Sequence, residues 1–477
     1  MKKHKVLVDL KIAMNNGYCG IAKENRLIFK MLSAAETTNS TGMLVSQHAN
    51  SVFSSHAKTA SRDESIAQAN RFFHDAFNHE PLLKTKLLGK LKIAKFLAWK
   101  KNRFNLYPVD PMFNDVIWRN VFDKSLGAAD RDLVLQNDFR FTDMTSLHVR
   151  VGSYFKRNAQ LDTTGYDFAV FLEPAPIAVS PGTIKIVRYH DAIPITEPDF
   201  SGSLYSYGTI NNLNSCAQDS WFVCNSEPTR AALLAIKPEL EAKAFVIPCS
   251  MSSNYTRVHD AGILKQILLT RLSTQLVPAE KLQTVRQQIS DMTDVNYILN
   301  LAALDPKKNH VNLIRAWEKL NYQHEDKIKL VICANSGWFA KEAEDMMRVH
   351  IQQGNIIHLD NIATEEMPYL FSHAKAFVFP SYTEGFGLPP LEAMQCGCPT
   401  IVSDIPAHRW VMGDASLYCD PYDADALADA MAKLIHQEGA GALREELAAK
   451  GLERVKLYAE ERLAGEWAEM LDKIKLL

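Results

Sequence analysis

The sequence predicts an α/β protein of two domains, each built around a mostly parallel β-sheet. Three observations carry this. Short apolar runs alternate with amphipathic stretches along the chain, the pattern of strands joined by crossover helices. The 477 residues exceed what one ordinary core organises, since single cores stop growing at about 250–300 residues. Finally, the stretch from Phe377 to Asp404, FVFPSYTEGFGLPPLEAMQCGCPTIVSD, spells out a strand, a glycine loop, a helix and a second strand. Ala376–Phe379 reads as a buried strand that Pro380 and Ser381 end, and Gly385 and Gly387 flank Phe386. Leu388 opens a helix whose first turn tolerates Pro389 and Pro390, and Gly397 stops it before the strand from Pro399 to Val402.

The remaining elements follow in order. Lys5–Leu10 is strand-like and leads through the turn-rich Asn15–Gly20 into a helix over about Ile21–Leu32, where Ile21, Leu27, Ile28 and Leu32 share a face. Residues 50–145 match no recurring pattern and are read as a helical insertion. Within it, 84–103 (KTKLLGKLKIAKFLAWKKNR) holds eight Lys or Arg and no acid. That stretch reads either as a basic helix lying on an anionic membrane surface or as a solvated helix packing its small apolar stripe on the domain. Asp167–Leu172, Ile184–Val187 and Ser220–Cys224 are further strands, with Ser226 as the N-cap of the next helix. Residues 1–255 form the first domain, 256–294 a linker, and 295–451 the second domain, whose strands include Tyr297–Leu301, Lys329–Ala334 and Ile356–Asp360. Asn309 reads as the N-cap of a helix, and 452–477 as a terminal helix.

Bulk properties narrow the function classes. Hydrophobic residues make up 47% of the chain, as in globular proteins, and a net charge of −2 gives no overall case for nucleic acid. The eight cysteines form no CxxC pair; Cys396 and Cys398 straddle a helix end without nearby partners, so no metal site is expected. The apolar run near the N-terminus is broken by Asp9 and Lys11 and reads as a strand rather than a signal peptide. No run reaches the roughly 18 apolar residues that span a bilayer. A cytoplasmic location is the resulting expectation.

The glycine loop carries chemistry. Its backbone N–H groups and helix start sit at the carboxyl end of a parallel strand, which suits a phosphate. Glu384 and Glu392 bracket it, and carboxylates are good acceptors for sugar hydroxyls. A ligand part phosphorylated and part hydroxylated, such as a nucleotide sugar, fits both features.

From Glu384 to Glu392, and on through SDIPAHRWVMGDASLYCDP to Pro421, the chain resembles retaining glycosyltransferases of family four, which have the GT-B fold. The segment Arg188-Tyr189-His190-Asp191-Ala192-Ile193-Pro194 resembles the His-Asp segment of mannosyltransferases in that family. The resemblance implies two Rossmann-like domains with parallel sheets facing a central cleft, and a C-terminal helix crossing back. It implies that Glu384 holds the donor sugar, Glu392 the ribose, and Lys308 with Lys307 the diphosphate, while Gly385, Phe386, Gly387 and Leu388 line the donor and His190 contacts its sugar. Gly20, in the first loop, would face the donor phosphate. Lys307 stands where the family usually has arginine, and Ala303 where some members have another. The implied function is sugar transfer with retention, the departing phosphate taking the acceptor's proton and no metal or other cofactor required. The segments favour GDP-mannose and surface polysaccharide or lipopolysaccharide assembly on a glycan or lipid-linked acceptor, with a location in the cytoplasm or peripherally on the inner membrane face. A UDP-sugar donor and a non-catalytic GT-B scaffold are the alternatives.

Overall fold

The computed structural model describes residues 3–11, 20–46, 61–77, 103–145, 148–149, 152–153, 156–200, 203–276, 279–291, 295–335 and 341–477. Of the basic stretch 84–103, all but Arg103 lies outside the described residues. The chain divides into two compact units. The first comprises Met1–Asn225, Thr229–Ser250 and Glu460–Leu477; the second comprises Ser226–Pro228 and Met251–Ala459.

The first unit carries strands β1 (His4–Lys11), β2 (Thr38–Ser46), β3 (Arg103–Phe104), β4 (Leu106–Pro108), β5 (Asp138–Thr145), β6 (Ala159–Leu161), β7 (Phe168–Phe171), β8 (Ile177–Ala178), β9 (Ile184–Tyr189), β10 (Ser220–Cys224) and β11 (Ala244–Val246). Eight of these form a sheet in the order β11-β10-β9-β7-β1-β2-β5-β4, parallel except at the β4–β5 edge. β3, β6 and β8 form a small parallel sheet. Val6, Leu7, Val8 and Leu10 are all buried, so β1 is covered on both faces, as a central parallel strand must be. The stretch read as a helical insertion does supply a helix, Arg62–Phe77, but it also supplies strands. In β5, Phe139 and Phe141 alternate into the core, so this strand extends the sheet beside β2.

The terminal helix Glu460–Leu476 belongs to this first unit. Leu463, Trp467, Met470, Leu471 and Ile474 join Val6, Val8, Phe29 and Leu32 in one apolar cluster. Polar contacts on the same helix reinforce the seat: Lys30 Nζ lies 2.6 Å from Glu460, and Lys475 Nζ 2.8 Å from Asp167.

The second unit is a six-stranded, fully parallel sheet of β12 (Tyr297–Leu301), β13 (Lys329–Cys333), β14 (Ile356–Leu359), β15 (Ala376–Phe379), β16 (Thr400–Ser403) and β17 (Ser416–Cys419). Its order is β14-β13-β12-β15-β16-β17. Every residue of β14, β15 and β16 is buried, which explains why these strands read as unbroken apolar runs. Residues 256–294, expected as a linker, carry the helices Ala261–Thr270 and Ala279–Asp291. Between them Leu272 bridges Leu359 and Ser273 N donates to His358 O at 2.8 Å, so this segment covers the β14 edge.

Trp467→Ala removes the largest apolar anchor of the terminal helix. We expect it to cost about 3–5 kcal/mol in the urea transition that includes the first unit. An unchanged unfolding curve would mean that this helix does not contribute to that core.

Candidate functional site

In the second unit the strand order reverses between β12 and β15, and open α/β sheets bind ligands outside the carboxyl ends of strands at such a point. The two strands pair only at Ile298↔Ala376 and Leu299↔Phe377. Beyond that pairing they diverge, and side-chain amides take over the role of ladder hydrogen bonds. Asn300 Nδ2 donates to Val378 O at 2.8 Å. Asn309 Nδ2 donates to Pro380 O at 2.9 Å and to Pro421 O at 2.7 Å. Asn309 was expected as an N-cap. It holds that position before the helix His310–Gln323, but its side chain makes no capping bond: Nδ2 is turned to the two carbonyls, and Oδ1, the atom a cap would use, has no partner among the described residues. Its φ of 60° is left-handed, a conformation asparagine tolerates better than most residues.

The loops thus tied together carry the charged pair. Lys308 ends the short 3-10 turn Pro306–Lys308, and its Nζ lies 2.5 Å from Glu384 Oε1 in the loop after β15. The two side chains are 17% and 11% exposed, so water contributes little to their solvation and each is the other's main support. Burial alone would raise the Glu384 pKa; the charges of Lys308 and then Lys307, with the Lys308 hydrogen bond, outweigh it and hold the carboxyl below its ordinary value. Lys308 also sits 5.1 Å from the centroid of the Phe379 ring. Lys307 fixes the loop through its backbone, accepting from Tyr382 N at 2.8 Å.

The glycine loop then turns into the helix Leu388–Gln395. Gly387 has φ +94°, a conformation that favours glycine, and a Cβ there would also crowd the ring of His408 at 3.2 Å. Pro389 and Pro390 occupy the first turn and carry no N–H, so this helix end offers fewer backbone donors than its dipole suggests. Phe386 is buried with its ring edge-on to Tyr458 (5.7 Å) and Trp410 (6.4 Å), which leaves its backbone, not its ring, for a ligand. Glu392 is buried on the helix and is hydrogen-bonded by the Tyr255 hydroxyl.

Sequence reasoning missed three polar groups in this unit. His408 is fully buried, and burial pushes its imidazole down to about 4 against the raising pull of Glu384, so the ring is neutral at pH 7. Its Nδ1 lies 3.0 Å from Ser403 O, while Nε2 has no partner among the described residues. Ser381 Oγ, at the end of β15, is likewise buried without a partner among them. Tyr255, which reaches Glu392, is the third. His408 lies inside the quoted SDIPAHRW segment, and that placement was its one sequence signal.

In the first unit, His190 follows β9 directly. Its Nε2 lies 2.9 Å from Leu172 O and its Nδ1 3.1 Å from Glu24 Oε2. Gly20 is exposed and begins the helix Gly20–Ala34; residues 12–19 of the preceding loop lie outside the described residues. Among the described residues, no group of three His, Cys, Asp or Glu could hold a metal ion, and no helix is long and apolar enough to cross a membrane.

Residues 283–454 match the family model described as glycosyl transferases group 1. Over 165 residues the chain is 33% identical to O-antigen chain mannosyltransferase B of Escherichia coli, a match covering 35% of this chain and 42% of that one. Over 156 residues it is 31% identical to O-antigen chain mannosyltransferase RfbU of Salmonella typhimurium, covering 31% and 43%. The chain therefore spans about two fifths of the length of these curated relatives. Among solved structures, sucrose-phosphate synthase of Thermosynechococcus elongatus matches with TM-score 0.55 and 14% identity over 99% of this chain and 100% of that one. HepE of Anabaena, solved with UDP and glucose, matches with TM-score 0.54 and 13% identity over 98% and 100%. The fold is accordingly that of GT-B glycosyltransferases: α/β, with parallel sheets.

Lys308→Met leaves Glu384 buried without its cation and is expected to cost about 3 kcal/mol at pH 7. Because the folded pKa of Glu384 is lowered, its stabilising contribution exists above the unfolded value of 4.5 and disappears as pH falls through the folded value. The stability gap between wild type and variant, measured by urea unfolding, should therefore close in acid. A gap that stays constant well below pH 4.5 would show that the pair is not what the variant removes.

Proposed function

We propose that this protein transfers a sugar from a nucleotide-sugar donor to an acceptor hydroxyl with retention at the anomeric carbon. The observation that carries the proposal is the Lys308–Glu384 pair, held at the switch point of a glycosyl transferases group 1 domain. An enzyme of this kind must stabilise negative charge on a departing diphosphate, and a fixed, partly dehydrated ammonium does so better than a solvated one. In the proposal Lys308, with Lys307 beside it, meets that charge. Backbone N–H groups of the Gly385–Leu388 loop and the helix dipole assist. Glu384 orients the donor sugar, with Lys308 already securing its ionised form. Glu392 binds the ribose, its carboxylate aimed by Tyr255. The resemblance assigns His190 to the donor sugar and Gly20 to its phosphate. The departing phosphate accepts the acceptor's proton, so the scheme needs neither a covalent nucleophile nor a metal.

The donor we favour is GDP-mannose and the setting surface-polysaccharide or lipopolysaccharide assembly, a reading supported by two curated relatives that are O-antigen chain mannosyltransferases. The acceptor in this reading is a glycan or a lipid-linked glycan, met in the cytoplasm or at the inner membrane face.

Thermal unfolding against a panel of nucleotides and nucleotide sugars tests the site. A ligand that binds only the folded state adds about 2.7 kcal/mol at a hundredfold excess over Kd. We expect stabilisation by GDP species that is lost in Glu392→Ala. Stabilisation by UDP species alone would replace the donor while keeping the enzyme, and no response to any nucleotide would overturn the assigned donor site.

A further inference from the structure

Glu24, on the helix Gly20–Ala34, shares its carboxylate among Arg188, His190 and the Cys249 thiol. Oε1 takes the Arg188 guanidinium, with Nε at 2.8 Å and Nη2 also bonded. Oε2 lies 3.1 Å from His190 Nδ1. Glu24 and Arg188 are both buried; Arg188 Nη1 goes to backbone oxygens, the nearest being Ile247 O at 2.7 Å, and Nη2 also reaches Cys249 Sγ at 3.7 Å. The opposite ring nitrogen of His190, Nε2, meets Leu172 O at 2.9 Å. The His190 backbone is clamped as well, its carbonyl accepting from Asn225 Nδ2 at 2.8 Å. The imidazole is therefore held at both nitrogens, and both neighbours are acceptors. A carbonyl oxygen never donates. The Glu24 carboxyl, which burial alone would raise, is held at about 2 by Arg188 and His190 and stays ionised.

We propose that Glu24 is a positioning residue for His190: it fixes the ring's orientation and holds it as a donor at both nitrogens, whereas a carboxylate present only to neutralise Arg188 would need no second partner. A carboxylate at Nδ1 sets both the rotation and the proton pattern of an imidazole. The inference rests on the transfer reading above, in which His190 is among the residues acting on the donor. The divided carboxylate also supplies a selective variant. In Glu24→Gln the amide oxygen keeps Arg188, while the amide NH2 turns to His190 Nδ1, which must then accept. The ring remains bonded on both sides but becomes the neutral Nε2–H tautomer.

The test uses the full chain with 15N-labelled histidine, as wild type and as Glu24→Gln, with His190→Gln to assign the signal. Wild type should show protons on both ring nitrogens of His190, and Glu24→Gln an unprotonated Nδ1 together with a lowered melting temperature, because the buried Arg188 loses its counter-charge. An unprotonated Nδ1 in wild type would overturn the proposal, and needs no variant to fold. So would a His190 signal that Glu24→Gln leaves unmoved. In donor turnover kcat should fall about tenfold or more in Glu24→Gln, with KM for the donor within about twofold; unchanged kcat beside a shifted signal would also overturn it. Wild type that turns over no nucleotide sugar would instead sink the transfer reading, and the ring's proton pattern would still decide whether Glu24 positions His190 or only neutralises Arg188.

Discussion

The divergence of β12 from β15 is the constraint on which the second unit's site depends. A parallel sheet that reverses its strand order must open there, and opening it leaves main-chain carbonyls without ladder partners. Two asparagine amides close the gap, Asn300 onto Val378 and Asn309 onto Pro380 and Pro421. The loops beyond the divergence are thereby tied together by side chains, while Asn300 Oδ1, Asn309 Oδ1 and Ser381 Oγ have no partner among the described residues. Lys308 owes its direction to this arrangement, since it immediately precedes the residue that ties the loops together.

Each unit holds an ion pair of low exposure, and the two pairs differ in character. Lys308 and Glu384 are partly exposed and belong to loops, so a ligand could exchange one contact for another. Arg188 and Glu24 are sealed inside the first unit, where backbone oxygens, the Cys249 thiol and the His190 ring complete their contacts. A sealed pair cannot be rearranged without leaving a charge uncompensated, which makes it a rigid mount for whatever it touches. His190 is the group it touches.

Much of this was legible in the sequence because parallel strands buried on both faces announce themselves as apolar runs. Phe377–Phe379, with the glycine loop and helix behind it, came out within a residue of the observed elements. The family resemblance put Lys308 and Glu384 on one donor, but their ion pair itself had no signal in the sequence. β5 was not legible, because Asp138, Arg140, Thr142 and Asp143 interrupt its two phenylalanines and its burial depends on β2, remote in sequence. Asn309 looked like a cap because asparagine favours that position, and only tertiary contacts reveal the competing carbonyls. Glu24 carried no signal at all. An acid on an amphipathic helix is normally solvated, and nothing nearby in the sequence points to an arginine 164 positions away.

The terminal helix also sets the order in which the protein can be made. The first unit begins at β1, yet Trp467 and Ile474 complete its apolar cluster. On the ribosome, at about 5–20 residues per second, that cluster stays open while the whole second unit is synthesised. The second unit, by contrast, lies within Met251–Ala459 apart from three residues, so nearly all of its chain is available earlier. Translation therefore runs from the first unit to the second, while completion of the two cores runs the other way.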